Sequence, residues 1–233
     1  MNKLPQEHFS VLLRLSVLLS FFVFPYGCAS KYLSIDQADD IEDFTINRIA
    51  IIPFTFDRTS FDTGTITGPS GAEILTALME KKLERFYYLT ARDKIVALLI
   101  ETHSLQAQQI ATMLSKKLAV DGVLMGIVTR YQQRKGNNYS VSQPASVAFE
   151  LYFMDGKTGK ILWSACFDKT QKSLSEDVSN IYSFFKEEWR WLTAEELMEL
   201  GVNELLDTFP GMHERKEQQK SKPLSSPWPS DMG

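Results

Sequence analysis

Two stretches of strict alternation, joined across a six-residue turn, constrain this chain more than any other feature. Val147, Phe149, Leu151 and Phe153 are interleaved with Ala148, Glu150 and Tyr152, and Ile161, Trp163, Ala165 and Phe167 with Leu162, Ser164 and Cys166. A period of two puts every second side chain on one face of a strand, so each stretch reads as a strand with one buried face. Between them, Asp155-Gly156-Lys157-Thr158-Gly159-Lys160 has turn chemistry. The Asp155 carboxylate can bond backbone amides, and Gly156 and Gly159 can supply positive φ. The two strands therefore form a long antiparallel hairpin. An Asp-x-x-Thr-Gly turn before an apolar-Trp strand also occurs in β-propeller repeats, but it occurs once here, and a propeller needs several blades.

The rest of the domain alternates strands with helices. Arg48-Ile49-Ala50-Ile51-Ile52-Pro53-Phe54 is a short β-branched run ending at proline, which reads as a buried strand. After a loop from Thr55 to Pro69, Ser70-Gly71-Ala72-Glu73 has capping-box spacing, and Leu75, Met79, Leu83 and Phe86 follow on one helix face. Tyr87–Ala91 reads as a strand, Asp93–Glu101 and Leu105–Leu118 as helices, and Gly122–Val128 as a buried strand running on into polar Thr129–Arg134. Glu176–Trp189 has a helical apolar stripe. Thr193-Ala194-Glu195-Glu196 caps a last helix that ends near Phe209, before Pro210-Gly211. The predicted fold is α/β (α+β): a mixed sheet with helices packed on it, early strands parallel and the hairpin antiparallel at one edge.

The amino terminus differs in kind. Lys3 and Arg14 precede an uncharged run of ten, Leu15–Phe24, and Pro25-Tyr26-Gly27-Cys28-Ala29-Ser30 follows. Ten residues fall short of the roughly 20 needed to cross a bilayer as a helix, but suit the apolar region of a secretory signal. The end of the run resembles a bacterial lipobox, with Gly27 before the cleavage site and Cys28 as the lipid-bearing first residue of the mature chain. Pro25 departs from the aliphatic residue expected three places before the cysteine. In lipoprotein sorting an aspartate after the cysteine retains the protein in the inner membrane. Ala29 stands there instead, which implies an outer-membrane address on the periplasmic face.

The expected organisation is a signal peptide over 1–27, a lipidated Cys28 and acidic tether over 28–45, one α/β domain over 46–210, and a disordered tail over 211–233. The tail carries Glu214-Arg215-Lys216-Glu217 and three prolines, too little apolar surface to offset ordering entropy.

Three segments carry a further resemblance: the 48–54 strand, the helix end and glycine-bearing strand over 119–128, and the 154–163 hairpin turn. Together with the lipobox they resemble the periplasmic α/β domain of CsgG-type curli-secretion lipoproteins, the TolB amino-terminal domain and LpoB-type activators of penicillin-binding proteins. That resemblance implies a docking or assembly module of the cell envelope, with an envelope protein or a second copy as partner. CsgG-type pores add extended membrane-crossing hairpins. Here the connections are short, and no alternating segment is left over for a barrel.

Other chemistry is sparse. A net charge of −4 argues against nucleic acid as partner. Three histidines and two cysteines offer no metal-ligand spacing, and no cofactor is expected. With Cys28 lipidated, Cys166 is the remaining thiol and reads as a small buried hydrophobe. Gly64–Gly71 precedes a helix but lacks the Gly-Lys-Ser/Thr ending of a phosphate loop. His103 has no identifiable triad partners, so no catalytic residue is assigned and the chain reads as non-enzymatic. Phe184 and Trp191 fall off the buried stripe of their segment and are the candidate partner-binding residues. The competing reading, an envelope enzyme or small-ligand binder, requires a cleft lined by two carboxylates.

Overall fold

A computed structural model describes residues 32–41, 44–57, 70–100, 105–171 and 190–221. These form a mixed α/β domain. Its strands are β1 (Leu33–Gln37), β2 (Arg48–Ile51), β3 (Thr55–Phe56), β4 (Tyr88–Leu89), β5 (Gly122–Gln132), β6 (Lys135–Gly136), β7 (Val141–Gln143), β8 (Ser146–Asp155) and β9 (Ile161–Thr170). Its helices are α1 (Gly71–Leu83), α2 (Arg92–Leu99), α3 (Ala107–Leu118), α4 (Ala194–Leu206) and α5 (Met212–Ser221).

The main sheet runs β1-β9-β8-β5-β2-β4, with β3 also paired to β5. β2 pairs in parallel with β4 and β5, and β3 with β5, because each is joined to the next through helices. The hairpin β8–β9 pairs antiparallel, with Phe149 opposite Phe167 and Phe153 opposite Trp163, and β8 in turn lies antiparallel to β5. The predicted fold class is the observed one.

Alternation decides the layers. Val147, Phe149, Leu151, Phe153, Trp163, Ala165 and Phe167 point to one face, where α1 and α4 bury Leu75, Met79, Leu197 and Val202 against them. On the other face, α2 and α3 cover only part of the sheet, burying Ile95, Ala111 and Leu114 against Ala50, Val123 and Met154. Both capping boxes are present: Ser70 Oγ accepts from the Glu73 amide and Thr193 Oγ1 from the Glu196 amide, each glutamate bonding back. Thr76 is buried with both needs met, accepting from the Phe54 amide at 3.0 Å and donating to Ala72 O at 2.7 Å.

The hairpin turn follows its predicted chemistry at Asp155, whose Oδ2 accepts from the Thr158 amide at 2.8 Å and the Thr158 hydroxyl at 2.6 Å. Gly159 has φ +74. Gly156 serves a different purpose: a Cβ there would lie 2.7 Å from Ser115 Cβ, so it lets the turn approach α3.

Two boundaries differ from expectation. The acidic tether contains β1, with Leu33 and Ile35 packed on the core and the strand paired to β9 from Leu33↔Phe167 to Gln37↔Trp163. Burial of two alternate apolar side chains outweighs the polar composition around them. The expected disordered tail begins with α5. Its sequence has no apolar face, but Met212 is buried and Arg215 ties the helix down. The Arg215 guanidinium donates to Phe86 O (2.8 Å), Ile46 O (2.5 Å) and Asn47 Oδ1 (3.0 Å), and lies 4.5 Å from the Tyr87 ring centroid.

Candidate docking site

α1, α4 and α5 frame a groove of about 520 Å³ at the end of the domain where β4 begins. α1 arrives there with Lys82, Arg85 and Phe86, α4 with Leu200 and Asn203, and α5 with Lys216. Lys82 is paired to Glu199 at 2.7 Å and Lys216 to Asp207 at 2.5 Å. Arg85 is exposed, with its guanidinium 5.9 Å from the Phe86 ring centroid. Phe86, Leu200, Leu206 and Met212 thus give the groove an apolar stretch, and beside it stand Glu204 and three cations, two of them answered by carboxylates.

One wall depends on Tyr87, whose hydroxyl donates to Pro210 O at 2.5 Å just before α5, while its ring meets Phe209 edge-on at 5.7 Å. Burial, with a smaller contribution from Glu214, pushes the Tyr87 phenol up to about 12 even though Arg215 pulls the other way. A phenol of unfolded pKa near 10 that stays protonated longer in the fold adds stability that is complete below pH 10 and lost as pH rises through about 12. Stability should therefore fall between pH 10 and 12, and Tyr87→Phe should flatten that fall; urea midpoints measured across this range check it.

A second concavity lies on the part of the sheet that, among the described residues, no helix covers, beyond α2 and α3. It measures about 190 Å³ and is lined by Ser34 and Asp36 from β1, Glu150 and Tyr152 from β8, and Ser164 and Cys166 from β9. The shared face of Ser164 and Cys166 is as predicted. Cys166 is half-buried on the open face, however, not in the core, because the inward positions of β9 belong to Ala165 and Phe167. Burial first, then Glu150 and Asp168, push its thiol up, away from the thiolate form. The Tyr152 hydroxyl donates to Glu150 Oε2 at 2.5 Å, and that bond, with burial, pushes the phenol to about 12. Neither group is activated as a nucleophile near neutral pH.

Of the predicted site residues, Trp191 is described and half-buried. Its amide donates to Asn138 O at 2.8 Å and its carbonyl accepts from Arg134, so its backbone clasps the β6–β7 hairpin. Gly27, Cys28, Phe184, His103 and the loop over 58–69 lie outside the described residues. The structure brings Trp191 to neither concavity. Sequence reasoning missed the groove because two of its walls come from segments read as a helix end and a tail. Among the described residues no His, Cys, Asp or Glu cluster could hold a metal ion, and no helix is long and apolar enough to cross a membrane.

Comparison with protein-family profiles and with curated proteins finds no match. Solved structures with a similar fold include the PelC dodecamer from Paraburkholderia phytofirmans, 14% identical, covering 64% of this chain and 90% of that one, with a TM-score of 0.38. Another is the lipoprotein GNA1162 from Neisseria meningitidis, at 18% identity, 60% and 97% coverage and a TM-score of 0.38. A third is the LpoB C-terminal domain from Salmonella enterica, at 14% identity, 55% and 85% coverage and a TM-score of 0.36.

Proposed function

We propose that this chain is a lipid-anchored protein of the bacterial envelope, held at the outer membrane through Cys28, whose α/β domain docks a partner without catalysing a reaction. The observation that carries the reading is the succession of a ten-residue apolar run, Gly27-Cys28, and a folded sheet beginning at Leu33. Acyl chains contribute about 0.8 kcal/mol per buried CH₂, so a multiply acylated cysteine holds a soluble body at a bilayer where one chain would not. Anchoring confines the docking surface to a thin layer and raises its effective concentration for a partner in the same compartment.

The groove between α1, α4 and α5 suits a partner segment with an apolar side chain flanked by carboxylates. Phe86 and Leu200 offer apolar lining, and Arg85 offers a cation with no carboxylate contact among the described residues. A photo-crosslinking residue at Asn203, in cells, should capture one specific envelope protein, and Arg85→Glu should reduce that adduct severalfold. Unchanged capture in Arg85→Glu, or equal capture from Lys94, which does not line the groove, would remove the groove from the account.

A second reading has its own observation. The open-face concavity is lined by two carboxylates, Asp36 and Glu150, as a small-ligand binder or enzyme would require. They stand on β1 and β8 with β9 between, so their backbones are separated by roughly 10 Å. Loss of a measured envelope activity in both Asp36→Asn and Glu150→Gln, with crosslinking at Asn203 intact, would favour this alternative.

A further inference from the structure

Only residues 29–32 separate Cys28 from β1, and this changes what the anchor can do. Five Cα steps from Cys28 to Leu33 span at most roughly 18 Å when fully extended. A bilayer holding Cys28 therefore also holds the Leu33 end of the sheet. The pairing says which end that is. Leu33 lies opposite Phe167 near the end of β9, Thr170 lies opposite Ser146 at the start of β8, and Ser146 lies opposite Gln132 at the end of β5. The β6–β7 hairpin leaves β5 and enters β8 at this same end.

We infer that the β6–β7 end of the sheet rests on the surface of the phospholipid bilayer that receives the Cys28 acyl chains, with Tyr139 and Lys135 in the headgroup layer and the strands leading away from it. The inference rests on the lipid-anchor reading and adds an orientation to it. Tyr139 is 85% exposed near the tip of the hairpin. A tyrosine ring with a polar end is the side chain that a bilayer interface accommodates best, alongside tryptophan. Cations are available nearby for lipid phosphates. Lys135 is exposed, the Lys169 ammonium sits 4.9 Å from the Tyr32 ring centroid, and Arg134 is bonded to the neutral Trp191 carbonyl and Asn138 side chain. Arg130 is already answered by Asp168. Glu195 and Glu196 stand at this end too, Glu195 bonded by Gln133 and Glu196 paired with Arg190 and drawn on by Arg134, which leaves Lys135 and Lys169 as the cations beside the anchor that complement an anionic lipid surface.

The hairpin is also built to hold its place. The Asn137 side chain accepts from the Tyr139 and Ser140 amides at 2.9 Å, and Asn138 is clasped to Trp191. Tyr139 is thus presented by a fixed turn. At the opposite end, Tyr88 on β4 is 77% exposed and pairs with Arg48, one step before the level of Gly122. The eleven residues of β5 separate the two ends by about 33 Å.

The test uses the full mature lipidated protein, in a Cys166→Ala background, with an environment-sensitive dye on Tyr139→Cys or, separately, on Tyr88→Cys. Each is reconstituted into phosphatidylethanolamine–phosphatidylglycerol vesicles carrying a headgroup nitroxide and floated on a gradient. The expected result is co-flotation of both, with emission at 139 quenched about twofold or more and emission at 88 unchanged, since nitroxide quenching fades well within the length of the sheet. Co-flotation with equal quenching at both sites, or with none at 139, overturns the orientation and leaves the anchor standing. Failure of both proteins to float removes the anchor, and the orientation with it.

Discussion

Trp163→Ala should destabilise the domain by about 3–5 kcal/mol, the range for emptying a large aromatic site in a packed core. Trp163 is fully buried on β9, its indole N–H donates to Thr208 Oγ1 at 3.2 Å, and its ring meets Phe209 edge-on at 5.2 Å. Phe209 in turn packs on Phe153 and Tyr87, so the removed ring belongs to the cluster joining the hairpin to the segment between α4 and α5. Against a typical net stability of about 5–15 kcal/mol, this is a large fraction. The check is a urea titration. The midpoint should drop with the slope unchanged, and Trp163→Phe should lose less. A midpoint shift of less than a quarter of that expected would mean that this cluster does not fasten the two halves.

Arg215→Met should cost on the order of 2–4 kcal/mol, since charge-assisted hydrogen bonds contribute roughly 1.5–3 kcal/mol each and do not add fully. The variant keeps the aliphatic reach over Tyr87 and removes the donors to Phe86 O, Ile46 O and Asn47. Among the described residues, α5 has little else to hold it beyond buried Met212 and the Lys216–Asp207 pair. Release of α5 removes one wall of the groove, so hydrogen exchange over 212–221 should become fast and the Asn203 crosslink should weaken together with it. Fast exchange with an undiminished crosslink would show that partner binding does not use that wall.

The contrast between these two residues explains what the sequence disclosed. Trp163 sits in a period-two pattern whose physical meaning is local, so its inward direction could be read from its neighbours. The same holds for Ser70 and Thr193, where three-residue spacing to Glu73 and Glu196 forecast the caps that form. Arg215 acts through carbonyls more than a hundred residues away in sequence, and no local pattern announces it. β1 lies between these cases. Leu33 and Ile35 do alternate, but two apolar positions among Asp36, Asp39 and Asp40 are too few to mark a strand until β9 supplies the partner edge. Gly156 looked like a positive-φ turn residue, and only the approach of Ser115 reveals that space is what it provides. The groove was illegible for the same reason as α5, because it exists only where three separated segments meet. The proposed lipid site is the reverse: it rests entirely on the first thirty residues, on run length and residue order.

That site is where the account is most exposed. Cys28→Ser in cells fed a radiolabelled fatty acid, followed by membrane fractionation, is the direct measurement. The account requires that the label vanish from the protein and that the domain appear in the soluble periplasmic fraction. Label and membrane retention equal to those of the unaltered chain would contradict it.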